Sequence, residues 1–135
     1  MRRPLALLCL PLAALGLAAC GSTVSTSGFK GEQHEVAQTI SDLQGEATTG
    51  EQKKICGELL SAAAVARLGG AKGCETAIKN QLAEIDNLQV SVQSVHVAAG
   101  NSSATADVSS IYEGKTRAGK LSLVKEGKHW KIAGL

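Results

Sequence analysis

At residue 88 the rhythm of this chain changes. Upstream, apolar residues recur every three to four positions; from Leu88 onward they recur at every second position. Helices and strands present side chains with periods of 3.6 and 2.0, so a segment written in one rhythm cannot bury its apolar residues in the other conformation. The switch therefore divides the chain into a helical half and a strand half. That order leads to an α+β domain in which helices cover one face of an antiparallel sheet.

In the helical half, Val36, Ile40, Leu43 and Ala47 recur along the stretch 29–47 with Glu35, Gln38, Asp42 and Glu46 opposite them, the pattern of an amphipathic helix. Thr48 and Glu51 stand at capping-box spacing ahead of a second apolar run from Ile55 to Leu68, which Gly69 and Gly70 end. A third helix is predicted from about Glu75 to Asp86, with Ile78, Leu82 and Ile85 on one face and Glu75 four residues before Lys79. In the strand half, "LQVSVQSVHV", "ATADVSSIY", "GKLSLV" and "HWKI" alternate. Turn signals separate them at Gly100-Asn101, Glu113-Gly114-Lys115 and Glu126-Gly127-Lys128. The expected architecture is three N-terminal helices packed on a curved four-stranded antiparallel meander.

Ahead of this domain lies a leader. Arg2 and Arg3 precede an uncharged, mostly apolar run from Leu5 to Ala19, and the small residues Ala18 and Ala19 lead into Cys20. The run is short for a membrane span, which needs roughly 20 apolar residues, and right for the apolar region of a secretory signal at 1–19. Leu17-Ala18-Ala19-Cys20 also resembles the lipobox of bacterial lipoproteins. That resemblance implies cleavage before Cys20 and lipidation of its thiol, with the mature chain held on the extracytoplasmic side of the cell membrane. A cysteine carrying two acyl chains anchors stably, where one chain binds only marginally. Residues 20–28 read as the lipidated cysteine and a flexible linker. As a Gly/Ser-type coil it spans on the order of 15 Å, so the domain at 29–135 is expected close above the bilayer.

Charge and cysteine usage fit that compartment. The chain carries 14 Lys and Arg against 12 Asp and Glu, and removal of Arg2 and Arg3 with the leader brings the mature chain into balance. No basic run remains, so there is no electrostatic footprint for nucleic acid. Cys9 falls in the leader, which leaves Cys56 and Cys74 in the mature chain. In an oxidising compartment they are expected to pair. A redox couple or a metal site fits less well, since there is no C-x-x-C spacing and no histidine lies near either cysteine in sequence.

The closing segment "LSLVKEGKHWKIAGL", after helices and hairpin-linked strands, resembles the nuclear transport factor 2-like superfamily, a cone-shaped α+β fold. Leu121, Leu123, Glu126, Gly127, Trp130, Lys131 and Ile132 stand where that superfamily often has its last hairpin. The leader, "KKICGELL" and "GGAKGCETAIKNQL" further resemble small actinobacterial-type lipoproteins that carry this domain. The resemblance implies either a binding module or an enzyme of the ketosteroid isomerase or polyketide cyclase type. Such enzymes set an Asp or His base and Tyr or Asp donors inside an apolar cup, where burial raises a carboxyl pKa and strengthens hydrogen bonds to developing charge.

Strand parity tests the chain for such groups. Ala104, Ala106, Val108, Ser110 and Tyr112 share one face, so Asp107 faces solvent and Tyr112 can enter the cup. Val90 and Val92 have opposite parity to Val95 and Val97. Either a bulge near Gln93-Ser94 realigns them and points His96 to water, or the strand changes faces and His96 approaches Tyr112. Trp130 reads as core, and Tyr112, Trp130 and His96 form the candidate pocket set. His34 and His129 read as surface. Three scattered histidines make no metal site, and no cofactor is expected. "GGAKG" lacks a preceding strand and the end of a phosphate loop, and reads as a helix end and a turn; Asn101-Ser102-Ser103 fits a glycosylation sequon but reads as a hairpin turn.

With only Phe29, Tyr112 and Trp130 as aromatics, stacking surfaces for a ligand are scarce, and Ala-rich helices on a Val and Leu sheet are expected to pack closely and fill the cup. The functional expectation is a membrane-anchored, non-catalytic module. Its partner is a protein, an envelope component or a small apolar molecule, and sheet-face homodimers are frequent in the superfamily it resembles. A small-pocket enzyme is the alternative.

Overall fold

The computed structural model describes residues 24–85 and 89–134. The expected leader at 1–19 and the expected lipidation site Cys20 lie outside these residues, as do Asp86 and Leu88, where the sequence pattern ends the third helix and begins the first strand. Among the described residues no helix is long and apolar enough to cross a membrane.

Nine segments follow in chain order: helix α1 (Glu32–Thr49), a short α2 (Gln52–Lys54), a π-helical turn (Ile55–Leu59), α3 (Ala62–Arg67), α4 (Gly70–Ala83), and strands β1 (Gln89–Val97), β2 (Ser103–Tyr112), β3 (Lys115–Glu126) and β4 (His129–Gly134). The strands pair antiparallel in the order β1-β2-β3-β4, the expected meander. Glu113 and Gly114 join β2 to β3 with positive φ at both residues, as a two-residue hairpin requires if the strands are to keep their right-handed twist.

Two bulges shape the sheet. Val92 pairs with Val108 and Ser94 with Asp107, so Gln93 is the extra residue in β1. It brings Val95 and Val97 to the face already held by Val90 and Val92, and the bulge alternative for this strand is the one found. Near the end of β4, Ile132 pairs with Leu123 and Gly134 with Ser122, which makes Ala133 a second extra residue. Bulges increase local twist and bend a strand, and here they curl the sheet around α1. The core is the resulting contact. Val36, Ala37 and Ile40 of α1 meet Val95, Ala104, Ala106, Leu121, Leu123, Trp130 and Ile132, all buried.

The second helix departs from the sequence expectation. Thr48 and Glu51 do not form a capping box; the Thr48 hydroxyl donates instead to the carbonyl of Gln44, and no side chain caps α2. The apolar run from Ile55 to Leu68 is broken in the middle. A π-turn, closed by a bond from Leu60 N to Ile55 O, sets Ile55, Cys56 and Leu59 all inward. Leu60 is then extended and bridges in parallel to Ile132, with Ser61 N donating to Ile132 O at 2.9 Å. The helix restarts at Ser61, whose hydroxyl accepts from Ala64 N at 3.1 Å. The break gives the outer edge of β4 a hydrogen-bonding partner, which an unbroken helix would not supply.

"GGAKG" is also corrected: Gly70 to Gly73 lie within α4, which starts five residues earlier than Glu75. Gly73 is required by packing, because a Cβ there would lie 2.2 Å from the Leu68 carbonyl oxygen. The packed chain also begins before Phe29. Val24 is buried, and Phe29 N donates to Thr26 O. Val24 is thus packed into the globule, while Ser25, Ser27 and Gly28 between it and Phe29 stay exposed.

Cys56 and Cys74 form a disulfide between the π-turn and α4. It matters because α4 has little else to hold it: Cys74 is its one buried residue, while Ile78 and Leu82 are half-exposed. With a sequence separation of 18, the chain-entropy model assigns such a crosslink roughly 3 kcal/mol. Cys56→Ser with Cys74→Ser is expected to lower the unfolding free energy by about that amount in urea titration. Hydrogen exchange should show α4 losing protection before the sheet does.

Candidate functional site

α1 lies across the concave face of the sheet, and its polar side chains reach both edge strands. Toward β1, the Gln33 amide donates to Val95 O at 3.1 Å, and Gln44 Oε1 accepts from Val90 N at 2.9 Å. Toward β4, the Thr39 hydroxyl approaches Trp130 O at 3.4 Å, and Glu32 accepts from Trp130 Nε1 at 2.7 Å and from Lys125 Nζ at 2.6 Å. Lys125 also sits 5.6 Å from the centre of the Trp130 ring, within cation–π range. Trp130 is therefore a core residue whose polar edge is satisfied. The hydrogen bond from Lys125, then that from Trp130, hold the Glu32 carboxyl below the usual glutamate range.

The sequence-derived pocket residues are not brought together. Tyr112 sits at the far end of β2, on the inner face, and its hydroxyl donates to Glu84 O at 2.7 Å, tying the hairpin to the end of α4. His96 pairs with Thr105 and is exposed on the outer face, because the bulge turns it away from the cup. Asp107 is exposed on that face as well; a hydrogen bond from Ser94 at 2.7 Å and Lys120 at 3.4 Å lower its pKa. Among the described residues no group of three His, Cys, Asp or Glu side chains could hold a metal ion.

The cup is filled at one end and hollow at the other. Between the second half of α1 and the sheet lies a cavity of about 280 Å³, walled by Ile40, Leu43, Ala47, Val90, Val108 and Leu121. Gln44, Ser110 and Gly119 complete it, with Lys120 at its margin. None of Tyr112, Trp130 and His96 lines it. The hollow exists because Val108 faces Gly119 across the β2-β3 pair, where a larger inward side chain would close it. A Cβ on Gly119 would meet only the Val108 methyl at 3.7 Å, so the space is open.

A second depression, of about 600 Å³, runs along α1 beside β4 and is open, with charged side chains set beside apolar surface from Leu59 and Trp130. Trp130 borders it, as do His34 and His129. Gln38 donates to Asp42 there, and Lys131 donates to Glu58 O, so much of its polar lining is already engaged.

No protein-family model matches this chain, and no curated protein matches it. Its fold is similar to that of a de novo designed protein with a curved β-sheet, at 14% identity and a TM-score of 0.38. That match covers 47% of this chain and 58% of the designed one, so the chain spans a little over half of that protein's length. A solved structure named Rd1NTF2_05, in a substituted form, is similar at 14% identity and a TM-score of 0.49, covering 74% of this chain and 94% of the other. Neither likeness bears on function.

The Glu32 cluster predicts a pH dependence. A carboxyl whose pKa is lower in the folded state contributes stability above the ordinary glutamate range and loses it as the pH falls through the depressed value. Glu32→Gln should therefore lower the urea midpoint at neutral pH. The gap from wild type should narrow steadily as the pH is taken into the acid range.

Proposed function

We propose that this chain is a membrane-anchored extracytoplasmic lipoprotein. Its nuclear transport factor 2-like domain is a non-catalytic binding module that takes a small apolar molecule in the hollow end of its cup. One observation carries the binding half of this reading: a cavity of about 280 Å³ whose walls are aliphatic. Small-molecule sites are of this kind, apolar clefts with a few placed polar groups, and their usual range begins near 300 Å³. The lining includes no carboxylate and no imidazole; its one titratable group, Lys120, sits at the margin paired with Asp107, and Gln44 holds the Val90 amide. General acid–base chemistry needs a titratable group within reach of the reacting atom, so the lining supports capture over catalysis.

The anchoring half rests on the leader and on Leu17-Ala18-Ala19-Cys20. The packing of Val24 supports a short tether, since three residues separate Cys20 from it. On this reading the first turn of α1 is the end nearest the bilayer. The cavity lies by the second half of α1, a helix of about 27 Å at 1.5 Å per residue, and so opens toward the aqueous side.

Two measurements test the reading. Cys20→Ser should move the protein from the membrane fraction to the soluble fraction and remove the acyl mass increment; an unchanged partition and mass would overturn the anchor. Gly119→Leu should fill the cavity and weaken binding of octanol, followed by calorimetry, by more than about tenfold, the change expected from losing an apolar site. Its unfolding midpoint reports whether the variant still folds. Octanol binding that persists in a folded Gly119→Leu protein would place the ligand elsewhere.

A further inference from the structure

The inner face of the β2-β3 hairpin changes character along its length. Pairs Ala104 with Leu123 and Ala106 with Leu121 are apolar and buried. Val108 with Gly119 is the hollow. Beyond it come Ser110 with Arg117 and Tyr112 with Lys115. Directly paired residues share a face, with Cβ atoms about 4.5–5.5 Å apart, so Arg117 stands on the same side as Ser110, which lines the cavity. Arg117 lies two residues from Gly119, or about 7 Å along the strand, within the length of an arginine side chain.

Among the described residues, Arg117 and Lys115 have no ion-pair partner, while Lys120 and Lys125 are engaged by Asp107 and Glu32. The hairpin contributes one acid near them, Glu113, at the turn itself. An aliphatic hollow followed along the same face by two cations with no ion-pair partner among the described residues has the complementarity of an amphiphile: a hydrocarbon tail in the hollow, a negative head beyond it. Guanidinium groups favour carboxylates in particular, because their planar donor pair matches two carboxylate oxygens.

Building on the binding reading above, we infer that the cup selects an acyl carboxylate, its tail in the cavity beside Val108 and Gly119 and its carboxylate on Arg117, with Lys115 adding charge at the rim. The size sets the tail short. The open groove beside β4 sets charges of both signs, Glu35, Asp42, Glu58, Lys128 and Lys131, beside its apolar surface, where the cavity's walls are mainly aliphatic.

The test compares octanoate, octanol and octylamine in calorimetric titrations of the full chain at neutral pH. Octanoate should bind one to one and at least about tenfold more tightly than octanol, the factor a charge-assisted hydrogen bond supplies. Octylamine should bind more weakly than either. High salt should shrink the preference for octanoate. Arg117→Gln should remove most of the preference while leaving octanol binding unchanged, which also shows that the variant is folded; adding Lys115→Gln should remove the remainder. If octanol and octanoate bind equally to the wild type, the head-group assignment is overturned and the apolar cup stands. A preference that survives both substitutions overturns the assignment to these residues. If none of the three ligands binds, the cup itself is not a binding site, and this inference falls with it.

Discussion

The structure depends on one helix lying in the curl of one sheet and being fastened at both sides. α1 supplies the apolar ridge of Val36, Ala37 and Ile40, but apolar contact is non-directional and does not fix how far a sheet wraps. The fixing comes from Gln33 and Gln44 on backbone groups of β1, and from Glu32 and Thr39 on β4. Backbone groups left unpaired at a buried edge are costly, so Gln33, Gln44 and Thr39 satisfy the strands while Glu32 holds the Trp130 indole, and together they set the curvature. The bulges at Gln93 and Ala133 lie in the same two edge strands. Curvature is thus introduced where α1 then holds it.

The remaining helical pieces form a second unit with a different source of order. α2, the π-turn, α3 and α4 place few residues in the main core. They are joined to it by Leu60 and Ser61 against β4 and by Ile55 and Leu59. Arg67 donates to Ala133 O, adding a contact at the bulge. Within this unit the disulfide substitutes for a hydrophobic face. An oxidising compartment would suit such a design, because a helix as lightly buried as α4 is poorly held once its crosslink is reduced.

Much of the fold was legible because it rests on periodicity. Alternation locates all four strands and their order, and the conflict of parity between Val92 and Val95 leaves a bulge or a change of face, of which the bulge is the one found. Less legible were features in which a polar residue replaces an apolar one inside the core. Thr39 and Gln44 are buried on α1, yet nothing in an amphipathic pattern marks a glutamine that caps a strand edge. The break at Leu60-Ser61 had a readable signal, a serine directly ahead of "AAAVA", but the continuous apolar run concealed it. Here tertiary pairing with Ile132 outweighed helix propensity. Trp130 reads as core from its parity and is buried, but nothing in residue type shows that Tyr112, Trp130 and His96 lie at different depths along the sheet.

That depth is also where the cavity comes from. A core drawn from Ala, Val, Leu and Ile with Trp130 fills one end of the cup, against the first half of α1. At the hollow end the inward side chains shrink, from Leu121 to Gly119 and from Val108 to Ser110. A sequence selected only for stability would be expected to place larger apolar residues at those inner positions, since unfilled volume costs contacts. Departures from the alternating pattern that have no compensating contact tend to mark functional sites. Gly119 and Arg117 are two such departures, neighbours on one face of one strand, the first opening a space and the second facing Ser110, which lines it.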